Sequence, residues 1–166
     1  MAKGGGDLSS LAVLGAPSGL FRAKTIIGLD PGKGGGIAFN EGGQTRAIKM
    51  PETLGDLRDA LEPYASGDAF AFLEKVHSSP QMGVKSAFTF GEGFGSLKAM
   101  LACLYIPFQL VRPQVWQKTM GCMTKGDKNV SKRRAQELFP NQKVTHALAD
   151  ALLICEFGCR LRGGKA

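Results

Sequence analysis

Apolar and polar positions divide the chain into short runs of two periods. Thr25-Ile26-Ile27-Gly28-Leu29 is apolar and partly β-branched, which predicts a first buried strand over 25–29. It ends in a carboxylate, Asp30, followed by Pro31-Gly32 and a loop to Gly36 that carries four glycines and Lys33. A second strand is predicted over 36–39, a turn over 40–43 and a third strand over 44–49, with Glu41-Gly42-Gly43 closing the hairpin. Met50-Pro51 breaks the sheet. The period then changes to helical: Leu54, Leu57, Leu61 and Tyr64 share one face of a helix over 53–64, with Thr53 as its N-cap.

After a Ser66-Gly67 turn, 69–73 reads as a fourth strand ending in a second carboxylate, Glu74. A polar loop through Pro80 leads to a long helix over 84–104. Gly91, Gly95 and Ala99 recur along it at four-residue spacing beside Phe88, Phe90 and Phe94. Small residues so spaced admit another backbone, either a second copy of the chain or the protein's own sheet. Phe88 itself reads as a core residue. A fifth strand is predicted over 105–111, with Pro107 giving it an irregular start or an edge position. Three helices follow: 113–119, opened by Pro113 and containing Trp116; 131–138, capped by Ser131 and ended by Pro140; and 145–161, capped by Thr145 and ended by Gly163-Gly164. Residues 120–130 read as a loop. Three opening strands followed by alternating α and β predict an α/β fold, a five-stranded mixed sheet flanked by helices. Residues 1–24, rich in glycine and serine, read as a flexible extension. Residues 25–162 read as one domain and 163–166 as a tail.

Composition narrows the function. In 166 residues, hydrophobic content is 43% and charged content 21%, as in a soluble globular domain. No apolar run has the roughly 18–20 residues of a membrane span, so no membrane partner is expected. The net charge is +7, which favours an anionic partner, nucleic acid first. The charge is concentrated: Arg112, Lys118, Lys125, Lys128, Lys132, Arg133 and Arg134 stand against one acid, Asp127, in that window. Such a patch favours phosphate contact over a generally basic surface. Cys103, Cys122, Cys155 and Cys159 form no CxxC pair and read as reduced, mostly buried thiols in a cytosol-like compartment.

The chemistry lies in the acids. Asp30 and Glu74 end strands one and four; if these strands are neighbours, the two carboxylates stand side by side. Asp150 interrupts the apolar run Ala147–Leu153, where a charge is costly to bury without a partner. His146 lies one turn before it on the same face. Asp30, Glu74, His146 and Asp150 gathered together would repel unless a cation sat among them. Hard oxygen donors suit Mg²⁺ or Mn²⁺. Two such ions about 3.5–4 Å apart would activate water and stabilise a leaving 3′ oxygen. Lys33, or a lysine of the basic patch, could neutralise the phosphate under attack.

These residues carry a resemblance. Ile27-Gly28-Leu29-Asp30-Pro31-Gly32, Phe72-Leu73-Glu74-Lys75-Val76 and His146-Ala147-Leu148-Ala149-Asp150-Ala151 resemble, in order, the motifs of the RuvC-type Holliday junction resolvases. The stretches 86–95 and Arg112-Pro113-Gln114-Val115-Trp116-Gln117-Lys118 look like the phage and organellar branch of that family. The resemblance spans about residues 25–162. It implies an RNase H-like fold, a homodimer, and symmetric Mg²⁺-dependent nicking of four-way DNA junctions in recombination and repair. The stripe of Gly91, Gly95 and Ala99 offers the contact between subunits. Asp30, Glu74 and Asp150 match the catalytic carboxylates, and His146 falls where relatives carry Asp or His. His77, three residues after Glu74, falls where many relatives place an aromatic wedge, a role Phe88 could share as the alternative to its core reading. With His77, the cations Lys33, Lys118, Lys125, Lys128, Lys132, Arg133 and Arg134 are the expected DNA contacts. The expected setting is the cytoplasm of a bacterium or phage-infected host, with an organelle as the alternative.

Three other readings stand beside this one: an RNase H-like nuclease for other branched DNA, hybrids or RNA; a non-catalytic module binding branched DNA; and a nucleotide phosphate loop at Gly32–Gly36. The last lacks both G-x-G-x-x-G and GK[ST], and its loop leads into a strand rather than a helix.

Overall fold

The computed structural model of the chain describes residues 23–76, 82–123 and 127–163. Strands β1 (Thr25–Asp30), β2 (Gly36–Glu41) and β3 (Gln44–Lys49) form an antiparallel meander. Gly42 and Gly43 close its second hairpin at φ 59° and 95°, a left-handed pair that residues with side chains rarely supply. β4 (Ala69–Glu74) and β5 (Phe108–Val111) then add in parallel, giving the order β3-β2-β1-β4-β5. β1 is central, antiparallel to β2 and parallel to β4.

Both faces of the central strands are covered, so alternate residues feed two cores. Ile26, Phe70 and Phe72 face one layer, made of α3 (Pro113–Met120), α4 (Lys128–Leu138) and α5 (His146–Gly163). Ile27, Leu29, Ile37, Phe39, Ala71 and Leu73 face the other, made of α1 (Leu54–Leu61) and α2 (Val84–Cys103). α5 is apolar nearly all round because it is wedged between the sheet and α3 and α4. It crosses β1 at very close range. A Cβ on Gly28 would strike the backbone of Cys155 and meet the Ala151 carbonyl oxygen at 2.5 Å, and one on Gly158 would meet the Phe72 ring at 2.5 Å.

Several expectations change. β1 includes Asp30, and β2 continues to Glu41. β5 begins at Phe108 rather than Tyr105, because Tyr105 turns the chain at φ 54°; the strand does lie at the sheet edge. α1 is shorter than predicted: it stops at Leu61 and continues as a 3₁₀ turn, Glu62–Tyr64, while Leu54 is 61% exposed. α4 starts at Lys128, not after Ser131. Asp127 is the cap, accepting from the Asn129 amide at 2.9 Å, and Ser131 is buried inside the helix. Lys132, Arg133 and Arg134 are therefore mid-helix residues.

α2 differs most. Its C-terminal half buries Leu97 and Leu101, but Phe88 is 74% exposed rather than in the core. A Cβ on Gly91, Gly93 or Gly95 would find no atom within 4 Å. The small-residue stripe is thus not packed on the protein's own sheet. Cys122 and Cys155 are buried, Cys159 is half-buried and Cys103 exposed, all as free thiols. Among the described residues, no helix is long and apolar enough to cross a membrane.

Candidate active site

Asp30 and Glu74 arrive together by register. β1 and β4 run parallel with Leu29 beside Leu73, so the next residues, Asp30 and Glu74, end adjacent strands. The alternation that sends Leu29 and Leu73 to the α1–α2 core turns Asp30 and Glu74 to the α5 side, with Gly28 and Phe72.

The glycine loop folds tightly over Asp30. Asp30 pairs with Gly36, and a Cβ on Gly35 would strike the Asp30 carbonyl and come within 3.0 Å of its carboxylate carbon. Only glycine lets the hairpin close this near the acid. α5 approaches equally closely: a Cβ on Gly36 would lie 2.9 Å from the Ala147 carbonyl oxygen. Ala147 over Gly36 and Ala151 over Gly28 bracket Asp150, bringing it to the strand ends.

Glu74 is largely buried, and burial pushes its carboxyl up to about 7. The indole of Trp116 opposes that shift, donating from Nε1 to Glu74 Oε1 at 3.1 Å. The neighbouring charge of Asp150 adds to it. Asp150 also raises the Cys122 thiol, which burial chiefly pushes up to about 11. Two carboxylates thus act on each other at the end of the sheet, under a cover of Trp116 and Cys122. Sequence reasoning placed Trp116 in a short helix but not against Glu74. The signal available was a lone indole whose N–H needs an acceptor if buried. Cys122 had no such signal.

His146 is the first residue of α5, exposed, one turn before Asp150. Among the described residues, no three His, Cys, Asp or Glu side chains stand close enough to form a ready metal cage. Mg²⁺ does not need one, since it is commonly held by one or two carboxylates with waters and substrate phosphates. Glu74 and Asp150 fit that donor set: hard oxygens, with like charge in a part-buried place.

The basic residues differ in how far they face solvent. Lys33 is exposed on the glycine hairpin, and Lys118 and Arg133 are exposed on α3 and α4. Lys132 is half-buried. Arg134 is engaged internally, donating from Nε to the Met120 carbonyl and from Nη1 to Glu137, both at 2.9 Å. His77, Lys125 and the Lys128 side chain lie outside the described residues.

No family model matches the chain, and no curated protein matches its sequence. Solved structures do share its architecture. RuvC of Thermus thermophilus is 16% identical, with a TM-score of 0.58 over 86% of this chain and 98% of that one. The same protein in complex with a Holliday junction substrate is 14% identical at a TM-score of 0.56, covering 82% and 96%. The yeast mitochondrial Holliday junction resolvase Ydc2 is 15% identical at a TM-score of 0.50, covering 86% and 80%. With a five-stranded mixed sheet and, among the described residues, five flanking helices, the chain has an α/β, RNase H-like fold that matches the fold of RuvC.

Proposed function

We propose that the chain is a structure-specific endonuclease that resolves four-way DNA junctions by paired symmetric nicks. The observation that carries this reading is the meeting of Glu74 with Asp150 beside the strand-end Asp30, on this fold. Two acids acting on each other in a part-buried place cost stability unless a cation offsets them, and perturbed acids of this kind cluster at functional sites.

Asp30, Glu74 and Asp150 would hold Mg²⁺ or Mn²⁺, with His146 at the rim. When bound, two such ions supply an activated water and stabilise the departing 3′ oxygen of a phosphodiester. The chain's own residues prepare the place. The glycine hairpin keeps the approach to Asp30 free of side chains, and Lys33 offers an ammonium to the phosphate. Lys118, Lys132 and Arg133 bind the junction arms. Two copies would meet through the solvent-facing Gly91, Gly95 and Ala99 of α2, placing one such site on each continuous strand.

Asp30→Asn keeps the size of the side chain and removes its charge. We expect it to bind a synthetic four-way junction as tightly as wild type and to cut it at least about 100-fold more slowly, as for loss of an essential charged group. Wild-type cutting by this variant would refute the site. Junction, flap, hybrid and linear duplex cleaved side by side define the substrate: paired nicks confined to the junction are expected, and preference for hybrid would redirect the assignment.

A further inference from the structure

Trp116 is the sole tryptophan of the chain and is fully buried, yet its one polar atom is spent on Glu74. The topology makes this contact. β4 and β5 pair with Glu74 opposite Val111, and the Lys75 amide bonds the Val111 carbonyl at 2.7 Å. The chain leaves β5 at Arg112, and Pro113 starts α3 at once. Trp116 thus falls in the first turn of a helix anchored on the strand beside Glu74. Its ring is held by the α5-side core, and its Nε1 holds Glu74 Oε1, leaving Oε2 for a further partner.

We propose that Trp116 is a positioning residue for the cation: its indole N–H orients the Glu74 carboxylate so that the second oxygen is presented to metal. This rests on the reading of Glu74 as a cation ligand. Such outer partners fix ligand orientation in metal sites, and their loss commonly weakens metal binding 10- to 100-fold.

The test must separate orientation from packing. Replacing the sole tryptophan biosynthetically by β-(3-benzothienyl)alanine puts sulfur where the N–H was and keeps the ring's shape. Mn²⁺ binding is read by electron paramagnetic resonance on the intact protein without DNA, alongside thermal melting. We expect the replaced protein to melt close to wild type and to bind Mn²⁺ about tenfold more weakly. Trp116→Phe should weaken it similarly while also melting lower. Unchanged Mn²⁺ affinity in the benzothienyl protein would overturn the role of Trp116. Glu74→Gln serves as the reference. If wild-type Mn²⁺ binding survives Glu74→Gln, or wild type binds none, the metal site itself falls, and the inference with it.

Discussion

At the scale of single residues, the site is defined by what surrounds each carboxylate. Glu74 has its pKa raised from 4.5 to about 7 when no cation is present, burial being the main cause. Between those values the folded protein keeps a proton that the unfolded chain has released, so stability falls as pH rises through that window. A shift of this size corresponds to about 3 kcal/mol. Urea unfolding of chelator-treated protein should therefore give a lower free energy near pH 7.5 than near pH 4.5, and Glu74→Gln should flatten the profile. An equally steep profile in that variant would place its origin elsewhere. Asp30 and Glu74 were legible as strand-tip acids because a short apolar run that ends in a carboxylate and a loop can be read locally. The Trp116 bond was not, since it depends on the pairing of β4 with β5. Arg134 reads like its neighbours in sequence, but its guanidinium ties α4 to the end of α3.

Elements differ in how closely they can approach, and glycines decide it. Gly28→Ala would set a methyl against the backbone of α5 itself, where no rotamer change can relieve it. We expect a loss of at least about 3 kcal/mol, seen as a lower denaturation midpoint, at the upper end of overpacking costs. Gly95→Ala is the opposite case. It meets open space in mid-helix and should stabilise the isolated chain by roughly 0.8 kcal/mol through helix propensity alone. If α2 seats a second copy, the same variant should shift the population toward monomer in sedimentation; no shift would remove the stripe from the interface. The opening strands, α2, α3 and α5 could be read from periodicity, caps and breakers. The start of α4 could not, because Asp127 and Ser131 are both good caps and tertiary burial of Ser131 decides between them. Nor could the exposure of Phe88, since an aromatic in an apolar run carries the same pattern whether or not anything covers it.

For the whole molecule, the relevant quantity is how the basic excess divides between exposed cations and those bonded internally. If the chain binds DNA as proposed, its affinity should fall with salt, with a log–log slope near −5 for about six phosphates bound per subunit. Neutralising Lys118, Lys132 and Arg133 together should make the slope shallower by about 2.7, at roughly 0.9 per phosphate. Arg134→Gln should instead lower the melting temperature, because its bonds are internal. An unchanged slope in the triple variant would move the DNA to another face. The basic excess was plain in the sequence, but its division between solvent-facing and fold-bearing cations depends on the bond from Arg134 to the end of α3.

The close seating of α5 on β1 also bears on motion. At Gly28 the two backbones meet with no side chain between them, and at Gly158 the helix backbone rests directly on the Phe72 and Ile26 side chains. Asp30 and Asp150 therefore travel as parts of one stiff unit. Glu74 ends β4, which pairs with β1 directly, and Trp116 of α3 at the sheet edge holds its carboxylate in addition. Any loosening should therefore begin at the sheet edge, in β5 and α3, rather than between β1 and α5. Amide exchange should register this as slow protons along β1 and the middle of α5, and faster ones along β5 and α3.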